Sequence, residues 1–314
     1  MRCHPWILAA TIVTAACNCG GSADERAVGK EASKLVDLSP AAHGGFELLD
    51  AGGEPRATLR LKPSAGQREL LASTLTMRVA LLGRGLPPVD QRLPPVEQRT
   101  QLEVTELGPE TIAARFRFEG VAIASNQSTP EIAARLRASS QAVAGWTETK
   151  QLSTRGGFVD GALAVPEDAD EQLRKSLMHT GESLAILFAR LPEEPVGVGA
   201  RWKYSHRLDS QGLELERTVH VRLAAREGDR VTLELELIQR CLSERFTRAG
   251  LPGEVEVRSF DSRGSGEVVL ELDKLVPVEG HVELATKLDF TVPASEVGGE
   301  DHEVSTRVEL ELQL

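Results

Sequence analysis

The chain has 314 residues, with 36 Lys or Arg against 47 Asp or Glu, so its formal charge is −11. This acidic balance disfavours binding to nucleic-acid phosphates, and an aromatic content of 4% leaves little for a base-stacking platform. Four cysteines are too few for a disulfide scaffold, whereas 41% apolar and 26% charged residues are typical of a folded domain.

The first sixteen residues have the pattern of a secretory signal peptide. Arg2 supplies a positive start, the run from Trp6 to Val13 is mainly apolar, and Ala15-Ala16 are small. The run is too short to span a bilayer as a mature helix. We therefore predict that residues 1–16 are removed before Cys17.

The sequence Val13-Thr14-Ala15-Ala16-Cys17 resembles the lipobox of bacterial lipoproteins. In that family the new N-terminal cysteine carries diacylglycerol and a further acyl chain such as palmitate. The resemblance implies lipid attachment at Cys17, and Asn18 in place of Asp implies an outer-membrane lipoprotein of the cell envelope, on either membrane face. Two or three acyl chains form a stable anchor. An ordinary secretory signal with an incidental cysteine is the alternative.

The segment after Cys17 is small and polar with little periodicity, which is typical of a tether. We predict a lipidated flexible tether over 17–45 and a single β-rich domain over 46–314. The domain divides into an N-terminal half, 46–191, and a C-terminal meander, 192–314.

The N-terminal half contains several segments with the period of two that is typical of strands. They are a short strand at Leu59 and Leu61, a strand over Ser73–Leu81, a strand over Ile112–Phe118, and a hairpin of Trp146–Leu152 with Phe158–Val165 around Arg155-Gly156-Gly157.

A heptapeptide is duplicated within this half: LPPVDQR at 86–92 is followed at once by LPPVEQR at 93–99. Because Pro-Pro pairs do not fit a central strand, we predict an extended polyproline loop over 86–99. Such a loop could be a docking motif for a partner, or a duplication tolerated at the surface.

Two helices are predicted. The first begins at Thr129-Pro130 and ends at Gly145, since Pro favours the first helical position. The second runs from about Glu167 to Arg190, with acidic residues in its first turn, an apolar stripe at helical spacing, and Pro192 after its end.

The C-terminal meander has the clearest alternation, over Leu213–Leu223, Val231–Leu237, Val282–Val292 and Val304–Leu314. The alternation slips near Ile238, which predicts a β-bulge there. The fold class is therefore α+β and mainly β: a large curved antiparallel sheet of about 11–13 strands, half-barrel-like, with two helices covering one face.

The segment Leu191-Pro192-Glu193-Glu194-Pro195-Val196-Gly197-Val198-Gly199-Ala200-Arg201-Trp202 resembles the LP-x-x-PV-x-x-G-x-x-W segment of uncharacterised β-rich bacterial lipoproteins. The layout as a whole is similar to the half-barrel of periplasmic lipoprotein carriers and their anchored receptors. That resemblance implies an apolar cavity under the helices, and it is architectural, because fold does not fix function.

No nucleotide-binding, zinc-protease or nucleophile-elbow motif is present, and the sequence predicts no catalytic residue, no metal site and no cofactor. Glu300-Asp301-His302-Glu303 is interpreted as a solvated charge run and not as a metal site. Cys19 and Cys241 could pair or remain apart. Cys241 has no base near it in sequence that would make it a nucleophile.

One face of a predicted strand carries Trp202, Tyr204, His206 and Leu208, which places two of the few aromatic residues beside a histidine. Trp202, Tyr204 and His206 are the candidate ligand-binding residues. A core histidine bonded to Tyr204 is the alternative.

The expected function is that of a lipid-anchored, non-enzymatic envelope protein whose half-barrel binds a hydrophobic ligand or a lipoprotein. A structural or protein-interaction lipoprotein, acting through a sheet edge or the 86–99 segment, is the second hypothesis. A hydrolase is a distant third.

Overall fold

A computed structural model describes residues 33–37, 43–83, 88–123, 129–130, 133–134, 137, 145–166, 187–210, 212–247, 253–293 and 301–314. These residues contain fifteen strands. The strands are β1 Ser33–Asp37, β2 His43–Asp50, β3 Arg68–Gly83, β4 Val89–Arg92, β5 Val96–Leu107, β6 Thr111–Ile123, β7 Thr147–Ser153, β8 Phe158–Pro166, β9 Arg201–Ser210, β10 Leu213–Glu227, β11 Arg230–Cys241, β12 Arg245–Thr247, β13 Glu254–Glu271, β14 Glu279–Val292 and β15 His302–Gln313.

The strands form one large antiparallel sheet, which confirms the predominantly β prediction. The hydrogen-bonded order is β1-β8-β7-β6-β5-β3-β15-β14-β13-β11-β10-β9-β2, with β4 paired to β3 and β12 paired to β13 beside this path. The last strand, β15, pairs with β3 and so joins the two halves of the chain in one sheet.

The sheet curls strongly without closing into a barrel. β1 and β2 lie at opposite ends of the strand order, yet Asp37 and His43 are separated by six residue steps, which reach at most about 21 Å. Thirteen strands in a flat sheet would span about 58 Å. The two edges must therefore approach one another, and no pairing joins them in the described part of the chain.

One end of the curled sheet is crossed by the segment between β2 and β3. The amide of Leu61 donates to Thr154 in the β7–β8 turn over 2.7 Å, and that of Lys62 donates to Leu272 after β13 over 2.6 Å. Ala57 forms an isolated bridge with Val196. Since these partners belong to distant strands, the segment closes this end of the sheet, which is called the closed end below.

The hydrophobic core has two parts. The larger part fills the closed end around Leu59, Leu191 and Trp202, which are fully or almost fully buried, together with inner-face residues from both halves. The smaller part lies toward the other end of the strands. Its buried members are Leu81, Leu208, Leu213, Leu215, Phe246, Val255, Leu288, Phe290, Val292 and Val304.

The prediction of two helices covering one face is not borne out. In the first predicted helix, four described residues have helical backbone: Pro130, Ala133, Ala134 and Arg137. They do not define the bounds of a helix, and most other residues of that segment lie outside the described residues. Residues 167–186 of the second also lie outside them. Leu187–Arg190 form a turn and irregular backbone, and the Arg190 carbonyl oxygen accepts a hydrogen bond from the Trp202 indole of β9. No helix of the described residues is long and apolar enough to cross a membrane.

Three further predictions are corrected. The sheet begins inside the predicted tether, since residues 33–37 and 43–45 belong to β1 and β2. Leu59 and Leu61 lie in the closing segment and not in a strand. β11 pairs without a break through Ile238, and the register shift between β10 and β11 falls at Leu223/Ala225 instead.

The duplicated heptapeptide is a pair of strands and not a loop. Val89–Arg92 pairs with β3 from Leu81 to Arg78, and Val96–Arg99 pairs with β3 from Leu75 to Ala72. The seven-residue repeat thus advances six residues along β3, so that the Val and Gln of each copy stay on the same face. Pro94 and Pro95 fall between the two strands and Pro88 precedes the first, so none of these three prolines must donate to the ladder.

Candidate ligand-binding site

The predicted face of β9 is present. Trp202 and Tyr204 are buried, His206 is half-buried and Leu208 is buried, while Arg207 between them is exposed. The alternation places all four predicted residues on the inner face of the sheet, beside edge strand β2. All four side chains thus lie on the concave side of the sheet.

Arg190 links these aromatic residues to the closed end. The indole nitrogen of Trp202 donates to the Arg190 carbonyl oxygen over 2.7 Å. The guanidinium carbon of Arg190 lies 5.9 Å from the ring centres of both Phe46 and Tyr204. Burial raises the pKa of Tyr204 to about 12, although a hydrogen bond from the Arg190 backbone and the charges of Arg190 and Arg217 act in the other direction. The hydroxyl is therefore neutral at physiological pH.

A row of polar side chains continues from His206 across the inner face. Cross-strand pairing aligns His206 with Arg217, Arg217 with Gln239, Gln239 with Ser262, and Ser262 with Thr286. This polar row lies between the two parts of the hydrophobic core. Arg217, Gln239 and Ser262 are at most 6% exposed.

The polar row is a directed chain of hydrogen bonds. With the Gln239 amide oxygen turned toward Arg217, it accepts from Nε over 2.9 Å and from Nη2 over 2.8 Å, and the amide nitrogen donates to Ser262 Oγ over 2.7 Å. The Ser262 hydroxyl is then free to donate to Thr286 Oγ1, 2.7 Å away. Each buried side chain of the polar row has a partner, so this network specifies one arrangement of the row.

Sequence reasoning missed this row, although a signal was present. Arg217 occupies the apolar phase of β10 between Leu215 and Val219, and Gln239 occupies that of β11 after Leu237. The apparent slip near Ile238 is therefore a buried polar residue in phase and not a bulge. A polar residue that interrupts the apolar phase at matching positions in neighbouring strands predicts an inner polar row.

The next row toward the closed end is apolar and partly open. It runs from Tyr204 through Val219, Leu237 and Gly264 to Leu284, Leu310 and Met77 on successive strands. Leu284, Leu310 and Met77 are only half-buried among the described residues. Gly264 contributes no side chain, and a Cβ there would meet the Glu283 carbonyl oxygen and Leu284 Cδ1. Apolar positions next to a polar row are the composition of a site for an amphipathic molecule.

A cavity of about 760 Å³ lies along β3, β4, β13, β14 and β15, and its lining combines charged residues with Gly264, Leu284 and Leu310 of the apolar row. Its walls carry Arg78, Asp90 and Glu309, and Arg78 pairs with Asp90 over 2.7 Å and with Glu309 over 3.8 Å. The hydrogen bond and charge of Asp90 raise the pKa of Arg78, and those of Arg78 lower the pKa of Asp90. These three charges therefore compensate one another within the cavity.

A second buried charged group lies in the N-terminal half. Lys150 Nζ is 2.8 Å from Glu148 Oε1 and 4.3 Å from the ring centre of Phe158. Both charges are almost completely buried and compensate each other. This pair is therefore part of the packing.

Cys241 and the charge run at 300–303 are the remaining polar candidates. Cys241 forms no disulfide with a described residue, and its thiol donates to the Ser243 carbonyl oxygen over 3.3 Å; burial raises its pKa, which disfavours the reactive thiolate. Glu300 lies outside the described residues, and no group of three metal-ligating residues occurs within them. Cys17 and Cys19 also lie outside the described residues, so lipid attachment and pairing with Cys241 stay predictions.

The chain matches no protein-family profile, and no curated protein matches it at a significant level.

Proposed function

We propose that this chain is a lipid-anchored, non-enzymatic protein of the bacterial envelope, attached to the outer membrane through Cys17, whose half-barrel holds a hydrophobic or amphipathic ligand on the inner face. The observation that carries the ligand assignment is the juxtaposition of half-buried Leu284, Leu310 and Met77 with the buried polar row. The half-buried apolar side chains would remove an apolar ligand chain from water, and the polar row would orient the ligand.

The anchor assignment rests on residues 1–17. Their charge, apolar run and small residues lead directly to Cys17, and acyl chains on that cysteine would keep the sheet close to the membrane that supplies the ligand. Labelled palmitate should enter the wild-type chain and not a Cys17→Ser variant. Equal labelling of both would contradict the anchor.

A role in protein docking through the proline segment receives less support. Leu93 and Pro94 of the second copy are buried, and the Leu93 amide donates to Met77 on β3 over 2.8 Å. This copy is thus engaged within its own sheet and does not offer a free extended proline surface.

The ligand assignment is tested by photo-crosslinking in the full chain within living cells. A benzophenone amino acid replaces Met77 on the inner face, and in a matched control it replaces Thr76, whose side chain is directed to the other face. We expect acyl-chain adducts in the intact-mass spectrum at position 77 and none at position 76. The absence of small-molecule adducts at 77, or equal adducts at both positions, would overturn the ligand assignment.

A further inference from the structure

Arg190 carries a buried hydrogen-bond donor without a partner in the described part of the chain. Its Nη1 atom is inaccessible to solvent and bonds to no acceptor among the described residues. A charged donor that is removed from water without a partner destabilises a folded protein strongly. Such an atom is expected where a partner arrives from outside the chain.

The guanidinium of Arg190 is fixed in place. Its two aromatic neighbours, Phe46 and Tyr204, lie at equal distances of 5.9 Å from the guanidinium carbon. The Arg190 carbonyl oxygen is held by Trp202, and Gly157 lies so close to the Arg190 side chain that a Cβ there would meet its Cγ at 2.8 Å. The donor is therefore preorganised, which lowers the entropic cost of binding.

Positive charge is concentrated around this donor. Burial, followed by the charge of nearby Arg155, lowers the pKa of Arg190. The charges of Arg190 and Arg217 also act on the Tyr204 hydroxyl, where they oppose the effect of burial on its pKa. Arg217 donates to the neutral amide of Gln239. Arg155 itself pairs with Glu193 over 3.4 Å, and this carboxylate is 78% exposed.

This cationic group lies at one end of the partly open apolar row. Tyr204 is in register with Val219 and, through the neighbouring strands, with Leu284 and Leu310. Four strand spacings, about 19 Å, separate β9 from β14. An anionic head group at Arg190 would thus be on the same face as the apolar positions and within the length of a long acyl chain.

We propose that Arg190, assisted by Arg217 and the Tyr204 hydroxyl, binds the oxyanion head group, a carboxylate or a phosphate, of an amphipathic ligand held on the inner face. The inference rests on the proposed ligand-binding function and names its ligand class. Arg190 Nη1 would donate to one oxygen in a charge-assisted hydrogen bond, and Phe46 and Tyr204 would shield that bond from water.

The test uses the full-length acylated chain in neutral phosphatidylcholine vesicles. Diazirine-labelled hexadecanoic acid is compared with diazirine-labelled hexadecanol, which has the same chain without the charge, and adducts are quantified by mass spectrometry. We expect the acid to label roughly tenfold more efficiently than the alcohol, in keeping with one charge-assisted hydrogen bond. Inorganic phosphate should not compete at equal concentration.

Two substitutions locate the preference. Arg190→Gln should remove the preference, so that the acid and the alcohol label equally, and Arg190→Lys should retain part of the preference for the acid. Arg222→Gln is the control, because Arg222 is exposed and pairs with Glu234 away from the site. Unchanged near-ultraviolet circular dichroism verifies that each variant is folded.

The outcomes separate the two proposals. Equal labelling by acid and alcohol, or a preference that survives Arg190→Gln, would overturn the head-group assignment and leave the proposed function intact. Full protection by an equal concentration of inorganic phosphate would overturn the amphipathic ligand in favour of a free anion. Labelling by neither probe would contradict the proposed function itself.

Discussion

Trp202 on β9 donates its indole N–H to the backbone carbonyl of Arg190 over 2.7 Å and thereby closes the irregular segment 191–200 onto the sheet. Leu191, Pro192 and Val196 of this segment are buried, and Gly199 adopts a φ of +88°, which favours glycine. The LP-x-x-PV-x-x-G-x-x-W pattern is thus explained by packing at the closed end.

Trp202→Phe should lower the free energy of unfolding by about 2–3 kcal/mol, because it leaves the Arg190 carbonyl without this donor and opens a cavity beside a fully buried ring. Urea denaturation followed by far-ultraviolet circular dichroism measures the change. Trp146→Phe is the control, since Trp146 is only half-buried and should cost less than about 1 kcal/mol. Equal losses in the two variants would contradict this account of the segment.

Tyr204 should titrate far above a free tyrosine. It is the single tyrosine of the chain, so the tyrosinate absorbance at 295 nm reports this residue alone. Because burial raises its pKa from 10.0 to about 12, the native state retains a proton that the unfolded state loses between those values. The contribution of Tyr204 to stability is therefore complete below pH 10 and decreases as pH rises from 10 to 12, by about 2–3 kcal/mol in total.

The Tyr204→Phe variant is the control for the stability measurement. Its free energy of unfolding should lack the decrease between pH 10 and pH 12 that Tyr204 causes. Unfolding in urea at pH 9, 10 and 11 compares the two proteins. A midpoint of the 295 nm titration near pH 10 in the folded protein would show that the hydroxyl is exposed to solvent.

Removal of one heptapeptide copy, residues 86–92, should destabilise the protein despite the repeat. After the deletion, six residue steps would connect Gly83 to Val96, reaching at most about 21 Å, whereas Val96 pairs with Leu75, eight residues and about 27 Å back along β3. The end of β3 must then separate from β15. Asp90→Glu, which makes the two copies identical without changing their length, is the control.

For the deletion we expect a loss of more than about 3 kcal/mol or a failure to fold, measured by thermal and urea denaturation. The control should remain within about 0.5 kcal/mol of the wild type. Wild-type stability of the deletion variant would show that the first copy is a dispensable loop.

The sheet could be predicted from the sequence because its outer positions are charged and its inner positions apolar, as in Val304–Leu314. Alternation fails where the inner face itself is polar. Arg217 and Gln239 disrupt the expected pattern, and their partners in the row, Ser262 and Thr286, lie on other strands, so that pairing is needed to see that the four residues meet.

The predictions for the proline repeat and for Arg190 were wrong for different reasons. The prolines predict a loop, but Pro94 and Pro95 fall between two strands that share one neighbour, which is a property of register and not of composition. The apolar stripe places Arg190 at the end of a helix, whereas its position near Phe46 and Tyr204 depends on contacts with residues more than ten positions away.

The buried pair of Lys150 and Glu148 should behave as a unit. Lys150→Met leaves the Glu148 carboxylate buried and unpaired, and Glu148→Leu leaves the Lys150 ammonium group buried and unpaired. Each single variant should lower the free energy of unfolding by about 3–5 kcal/mol. The double variant removes both charges and keeps apolar volume beside Phe158 and Phe116, so its stability should lie close to that of the wild type. A double-mutant cycle in urea measures the coupling. Additive losses would show that each charge is stabilised by groups other than its partner, and would refute the interpretation of the pair as self-compensating packing.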